Sequence, residues 1–262
     1  WKILIPIGLM GLDLSSIEEY GREKKESLYK RYIASMLGTD VKFMVYPKKE
    51  IDSISSALRM AIGDRSAAMK KEQQDFYLKV NKTSGKSKME RAYEDGIIVK
   101  GRVVSTNKST CFVDVYGKQV QIPKKEMSWR YVANVGDVVR NNDIVNVKIT
   151  DLAVNHETGE IDMQASLRAA QENVVKNNMK LYSEGTITLG VVTGISNGYW
   201  IQVGDTETGI DVYCKKINCM ELPEVGDTVG VTLFKMDYEN GMTFGSVENI
   251  VRRANRWGSV AA

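Results

Sequence analysis

Histidine is almost missing from these 262 residues: His156 is the only one. A Ser/His/Asp or Cys/His triad therefore has a single base to draw on, and a two-histidine metal site cannot form within one chain. Cysteine is scarce too. Cys111, Cys214 and Cys219 make an odd set without a CxxC pair, too few for a four-cysteine zinc site. They read as reduced thiols of a cytosolic protein. The phosphate-cradling patterns GxxxxGK(S/T) and GxGxxG are both absent. No apolar run nears the roughly 20 residues that span a bilayer; the longest, Ile3 to Met10, is broken by Pro6 and Gly8. No pair of carboxylates or lysines stands out for an enzymatic task. The expectation is a non-catalytic protein with no cofactor, no metal and no membrane contact.

What is present is ordinary in bulk and uneven in place. With 43% hydrophobic and 26% charged residues the composition is globular, and the length predicts two or three domains. Residues 1–93 hold 18 Lys/Arg against 12 Asp/Glu, a balance of +6. Residues 94–173 balance at −1 and residues 174–262 at −2. The basic excess gathers around Lys70, Lys71, Lys79, Lys82, Lys86 and Lys88. Such a run attracts phosphates, or is simply a solvated linker.

The chain also repeats itself. Gly96-Ile-Ile-Val-Lys-Gly101-Arg-Val103 and Gly185-Thr-Ile-Thr-Leu-Gly190-Val-Val192 share the pattern G-x-I-x-x-G-x-V at an offset of 89. Phe112-Val113 then aligns with Trp200-Ile201, Ile122 with Val212, and Val135-Gly136-Asp137 with Val225-Gly226-Asp227. A nearly constant offset over separate landmarks marks tandem units. A partial third copy opens the chain. Ile5-Pro6 aligns with Ile122-Pro123, Gly38-Thr39-Asp40 with Gly136-Asp137, and a strand Leu58–Ile62 followed by a helix-like run with 161–171. Between Gly11 and Gly38 lies an insertion that reads as helix. Because this copy begins at its third strand, and with Trp1, the sequence is expected to be a fragment.

Each complete unit reads as five short strands, in the middle copy near 97–106, 109–116, 118–123, 143–152 and 159–165. Strict alternation turns Cys111, Val113 and Val115 inward and Phe112, Asp114 and Tyr116 outward. In the last copy Tyr199, Ile201 and Val203 turn inward, and Trp200 and Gln202 outward. Gly101 and Gly190 interrupt the first strands, as at a bulge or bend. Five strands with a bent first strand suggest a small OB-type barrel. Helices near 66–78 and 167–182 read as connectors. Trp129 and Tyr131 are expected to pack, Met60, Met69 and Met163 to fill the core, and His156 to sit in a solvated turn flanked by Glu157 and Glu160.

This ordered set, closing on Ser166-Leu-Arg-Ala-Ala170, resembles the S1 RNA-binding domain, the barrel strung along the largest protein of the bacterial small ribosomal subunit. The resemblance implies a mainly β fold of tandem five-stranded OB-fold barrels joined by short helices, with a helical insertion in the first partial repeat. The expected layout is a partial domain at 1–78, a basic linker at 79–93, an S1 domain at 94–173, a helical linker at 174–182, an S1-like domain at 183–252 and a tail at 253–262. It implies single-stranded RNA as partner, bound on strands two and three. Phe112 and Trp200 match the aromatic of strand two, and Gln121 and Tyr213 the contact on strand three. Arg102, Lys108, Lys118, Lys124 and Lys215 are the flanking bases. The middle copy departs from the family by having no glycine in the turn at Thr106–Thr110.

Two other readings stay open. The barrels could serve protein contact, or contact with the ribosome, with RNA binding lost, as the acidic last copy suggests. They could equally be the accessory region of an RNA-processing enzyme. On the main reading the protein is cytoplasmic and acts in translation or RNA handling.

Overall fold

A computed structural model describes residues 2–11, 22–46, 60–205 and 207–254. The chain divides into two compact units, one of residues 1–127 and 134–170, the other of residues 128–133 and 171–262. Both are mainly β.

The S1-like sheet of the first unit runs through β4 (Ile98–Thr106), β5 (Thr110–Val115), β6 (Lys118–Pro123), β7 (Ile144–Val154) and β8 (Ile161–Ser166). Its order is β6-β5-β4-β7-β8. β6 and β8 come close enough to bring the sheet near to closure. The alternation of β5 holds: Cys111, Val113 and Val115 are fully buried, while Phe112 and Asp114 face out. The β5–β6 hairpin turns on Tyr116 and Gly117, whose φ angles are +51° and +83°. Two successive positive φ values suit a type I′ turn and the twist of its strands.

The opening segment forms a smaller sheet of β1 (Lys2–Leu4), β2 (Met44–Val45) and β3 (Met60–Asp64) in the order β1-β3-β2. β1 runs parallel to β3, and β2 antiparallel. Helix α1 (Arg22–Ser35) occupies the expected insertion; the start of that predicted helix, and Leu58 of the predicted strand, lie outside the described residues. Helix α2 (Arg65–Gln73) is capped by Asp64, whose Oδ1 accepts from Ala67 N at 2.7 Å. It continues as a π turn at Gln74–Leu78. Tyr77 in that turn is fully buried, and its hydroxyl donates to Val115 O at 2.7 Å.

The stretch expected as a basic linker holds a helix, α3 (Lys88–Glu94), which starts at a reciprocal capping box between Ser87 and Glu90. Met89 of this helix is buried. The expected connector helix at 167–182 is instead three short pieces. These are a 3-10 turn at Arg168–Ala170, α4 (Val174–Asn178) capped by Asn173, and a second 3-10 turn at Met179–Leu181. Asn173 breaks the run because its side chain accepts from Lys176 N and begins a new helix there.

The second unit is a closed barrel of β9 (Ile187–Ile195), β10 (Tyr199–Val203), β11 (Ile210–Ile217), β12 (Thr228–Asp237) and β13 (Met242–Arg252), in the order β10-β11-β13-β12-β9. β11 pairs with β13 in parallel and β12 with β13 antiparallel, the order and sense also seen in β1-β3-β2. Val192, Ile201, Val203, Val212, Val229, Val231 and Leu233 fill its interior. Burial of each such side chain is worth about 1.5–3 kcal/mol.

Candidate nucleic-acid interface

On the first unit, Phe112 stands half-buried on the outer face of β5, directly opposite the exposed Gln121 of β6. The loop before β5 lacks glycine because Asn107 does the turning. Its Oδ1 accepts from Ser109 N and Thr110 N, both at 2.9 Å. This loop exposes Lys108. Lys124 N donates to Ser109 O at 2.8 Å, which ties the end of β6 to the same loop. The backbone therefore puts Lys108 and Lys124 at the end of the β5–β6 hairpin nearer to Phe112 and Gln121.

The rest of that face is covered from within the unit. Tyr32 donates to Gln119 Oε1 at 3.0 Å, and Gln73 Nε2 to Gly117 O at 2.6 Å. Arg65 reaches Asp114 at 3.8 Å. Burial raises the Asp114 pKa, against the Gly117 N–H and the Arg65 charge. Arg102 is held by Asp40 at 3.3 Å and by Asn142 at 2.5 Å, so this expected base sits inside a network. Lys118 does not join Phe112 either. It pairs with Val115 in the row of Val113–Val120 and Cys111–Ile122, the inward row, and it borders a cleft with Gln73, Glu160 and Asp162.

The second unit carries a row of rings. Trp200 lies opposite Gly194 of β9 and Tyr213 of β11, and Tyr213 opposite Phe244 of β13. Over Gly194 sits Tyr131, where a Cβ would collide with its ring. Tyr131 stacks on Trp200 at 4.8 Å between centroids and 14° between planes. Tyr213 leans on the other side at 5.0 Å and 46°, and meets Phe244 edge-on at 6.4 Å. Lys235 Nζ lies 5.8 Å from the Phe244 centroid, and Lys215 is exposed two residues beyond Tyr213. Trp200 thus faces outward as expected, but it is flanked by rings.

Residues 128–133 are anchored within the second unit at three points. Tyr131 N donates to Asp211 Oδ2 at 2.5 Å, Arg130 Nη2 to Gly209 O at 3.2 Å, and Trp129 Nε1 to Gln171 O at 3.2 Å. Trp129 and Tyr131 are packing residues, as the sequence suggests. The sequence reading missed Phe244 and Lys235; the outward parity of β13 was the signal for the former.

Burial pushes the thiols of Cys111 and Cys214 up to about 12. His156 is exposed in its turn, with Nε2 3.1 Å from Glu90 Oε1. Among the described residues no group of three His, Cys, Asp or Glu side chains is placed to hold a metal. No helix among them is long and apolar enough to cross a membrane.

Comparison with known proteins fits this geometry. Residues 92–165 match the family model of the S1 RNA binding domain, a stretch that spans β4–β8. The chain is 26% identical over 170 residues to small ribosomal subunit protein bS1 of Mycolicibacterium smegmatis, covering 62% of this chain and 34% of that protein. It is 28% identical over 153 residues to bS1 of Mycobacterium tuberculosis, covering 56% of this chain and 31% of that one. The chain thus spans about a third of the length of these relatives. It is also 26% identical over 141 residues to 4-hydroxy-3-methylbut-2-enyl diphosphate reductase of Clostridium acetobutylicum, covering 53% of this chain but 21% of the enzyme.

Proposed function

We propose that this chain is a non-catalytic, cytoplasmic binder of single-stranded RNA of the S1 type, working in translation or RNA handling. The observation that carries the reading is the open end of the β5–β6 face in the S1 domain. There Phe112 lies opposite Gln121, and the backbone of Lys124 is tied to the loop that carries Lys108. A half-exposed ring offers an unpaired base a stacking surface worth about 1–3 kcal/mol. Gln121 can pair with a base edge through both donor and acceptor. The lysines neutralise phosphates, so affinity falls with salt. Since every base has a π-face, many sequences bind.

The second unit fits a weaker share of this work. Tyr131 and Tyr213 flank the Trp200 ring, so a base meets ring edges there more readily than an open face. Its net acidic charge favours a protein partner over a phosphate backbone, on the ribosome or elsewhere.

A fluorescently labelled uridine 12-mer tests the reading by polarisation at low salt. Phe112→Ala should weaken binding roughly 5- to 150-fold, the equivalent of about 1–3 kcal/mol. Trp200→Ala should weaken it less, and Lys118→Ala hardly at all. A Phe112→Ala protein that binds like the wild type would remove the basis of the proposal.

A further inference from the structure

The basic stretch 79–93 is folded, and three of its cations converge. Lys79, Lys88 and Arg91 line one cleft of about 180 Å³ together with Asp75, Val80 and Asn81. That volume admits a tetrahedral oxyanion with its waters, given about 30 Å³ for each water. Asp75 is the only carboxylate in the lining. The acids of α3 are engaged elsewhere. Glu94 is bonded to Lys86, and Glu90 accepts from Ser87 N at 2.7 Å and meets His156 at 3.1 Å. Among the described residues no carboxylate lies within ion-pair distance of Lys79, Lys88 or Arg91. The cleft therefore holds three cations against one anion.

Its walls are held in place. Lys88 Nζ sits 4.7 Å above the Phe76 ring, and Phe76 is stacked on Tyr116 at 4.0 Å and 15°. The ammonium is thus held by a cation–π contact and not by a competing carboxylate. On the far side, Asn81 N donates to Lys86 O at 3.0 Å, Gly85 N to Asn81 O at 2.9 Å, and Thr83 N to Asn81 Oδ1 at 2.8 Å. These bonds close the loop that carries Val80 and Asn81. An electropositive concavity with fixed walls suits a phosphate more than a loose chain of lysines does.

We propose that this cleft binds a phosphate group, supplied by the backbone of a single RNA strand, at a place separate from the ring-bearing faces. The source of the phosphate rests on the RNA-binding reading above. The cleft adds affinity without sequence choice, because phosphate contacts position a strand and do not read it.

The test uses the full chain and the same uridine 12-mer, titrated from low to moderate KCl. Each phosphate contact on a single strand contributes about 0.7 to the slope of log affinity against log salt. The double variant Lys79→Gln/Arg91→Gln should flatten that slope by about 1.4 with its thermal midpoint unchanged. Lys82→Gln, which removes a charge outside the cleft, should leave the slope alone. An unchanged slope in the double variant, while Phe112→Ala still weakens binding, overturns the cleft and leaves the RNA reading standing. If the wild type bound no RNA, the RNA reading would fall, and inorganic pyrophosphate would judge the cleft. Shifted backbone amide resonances at Lys79, Lys88 and Arg91 would then support a site for free phosphate, and unmoved ones would overturn it.

Discussion

Tyr131 lies flat on Trp200, with ring centroids 4.8 Å apart and planes 14° from parallel. The relation depends on a third residue that is hardly there: Gly194, opposite Trp200 on β9, leaves the space the tyrosine ring fills. Gly198 does the same for Tyr213, whose ring lies 2.8 Å from where its Cβ would be. Two missing side chains make the floor on which two rings rest.

Gly194→Ala should therefore expel Tyr131 from Trp200. Such ring pairs are worth about 0.5–1.5 kcal/mol, and for a chain of this size each kcal/mol lowers the thermal midpoint by about 2–4 °C. Tyr131→Ala removes the same contact. The double variant should then cost little more than either single one, since the two changes delete one interaction. Thermal melts give the energies, and near-UV circular dichroism reports the loss of the stacked pair. Costs that simply add would show that Gly194 acts apart from the stack.

The outer features of the fold were readable, and the reasons are local. In β5 the inner face is buried, so Cys111, Val113 and Val115 had to alternate with Phe112 and Asp114. The ring pair Tyr131–Trp200 had no such signal. Its members are far apart in sequence, and nothing periodic links a loop residue to a strand. Lys118 was grouped with Phe112 because the resemblance to the S1 domain implies a base at that position. Counting back by two from Ile122 and Val120 puts it on the inward row instead. In 79–93 the density of lysine hid the Ser87–Glu90 spacing, which is a helix start in its own right. At 167–182 the apolar pattern ran on past Asn173, whose side chain ends one helix by starting another.

Acid should unfold the second unit partly through Asp227. Its side chain is fully buried. Burial alone would raise its pKa, but N–H groups of Ala254 (2.9 Å) and Glu224 (3.0 Å), with Arg253 Nη1 at 2.9 Å, outweigh that and hold it at about 2. The folded value lies below the unfolded value of about 3.9. The carboxylate therefore stabilises the fold above that pH, and the contribution is lost as pH falls from about 4 to about 2. Asp205, Asp237 and Glu248 are lowered as well, so Asp227→Asn should remove one share of the acid sensitivity. Thermal midpoints of variant and wild type, measured from pH 6 to pH 2, should converge at the acid end. Curves that stay parallel would show that Asp227 carries no proton linkage.

Gly190 tests whether the glycines of the first strands serve bending or clearance. The sequence suggests a bend or a bulge, yet the register shifts lie elsewhere, between Val103 and Ser105 in the sheet of the first unit and at Trp200/Ile201 in the barrel of the second. A Cβ at Gly190 would lie 2.6 Å from Ile201 Cγ2, 2.8 Å from Gln202 O and 3.0 Å from Val203 Cγ2. One of these is backbone held in a ladder, and the other two belong to side chains buried in the core. None can yield without moving β10. A Cβ at Gly101 would meet Val113 most closely, with Val115 and Val147 at 3.2 Å each. Neither glycine has a positive φ, so alanine would be conformationally acceptable and only space is at issue. Gly190→Ala should cost about 1–3 kcal/mol, as overpacking does. Gly136→Ala, with nothing within 4 Å of its Cβ, should be neutral or slightly stabilising. Should calorimetry find the two substitutions equally harmless, the strand has room to spare and clearance is not what glycine provides there.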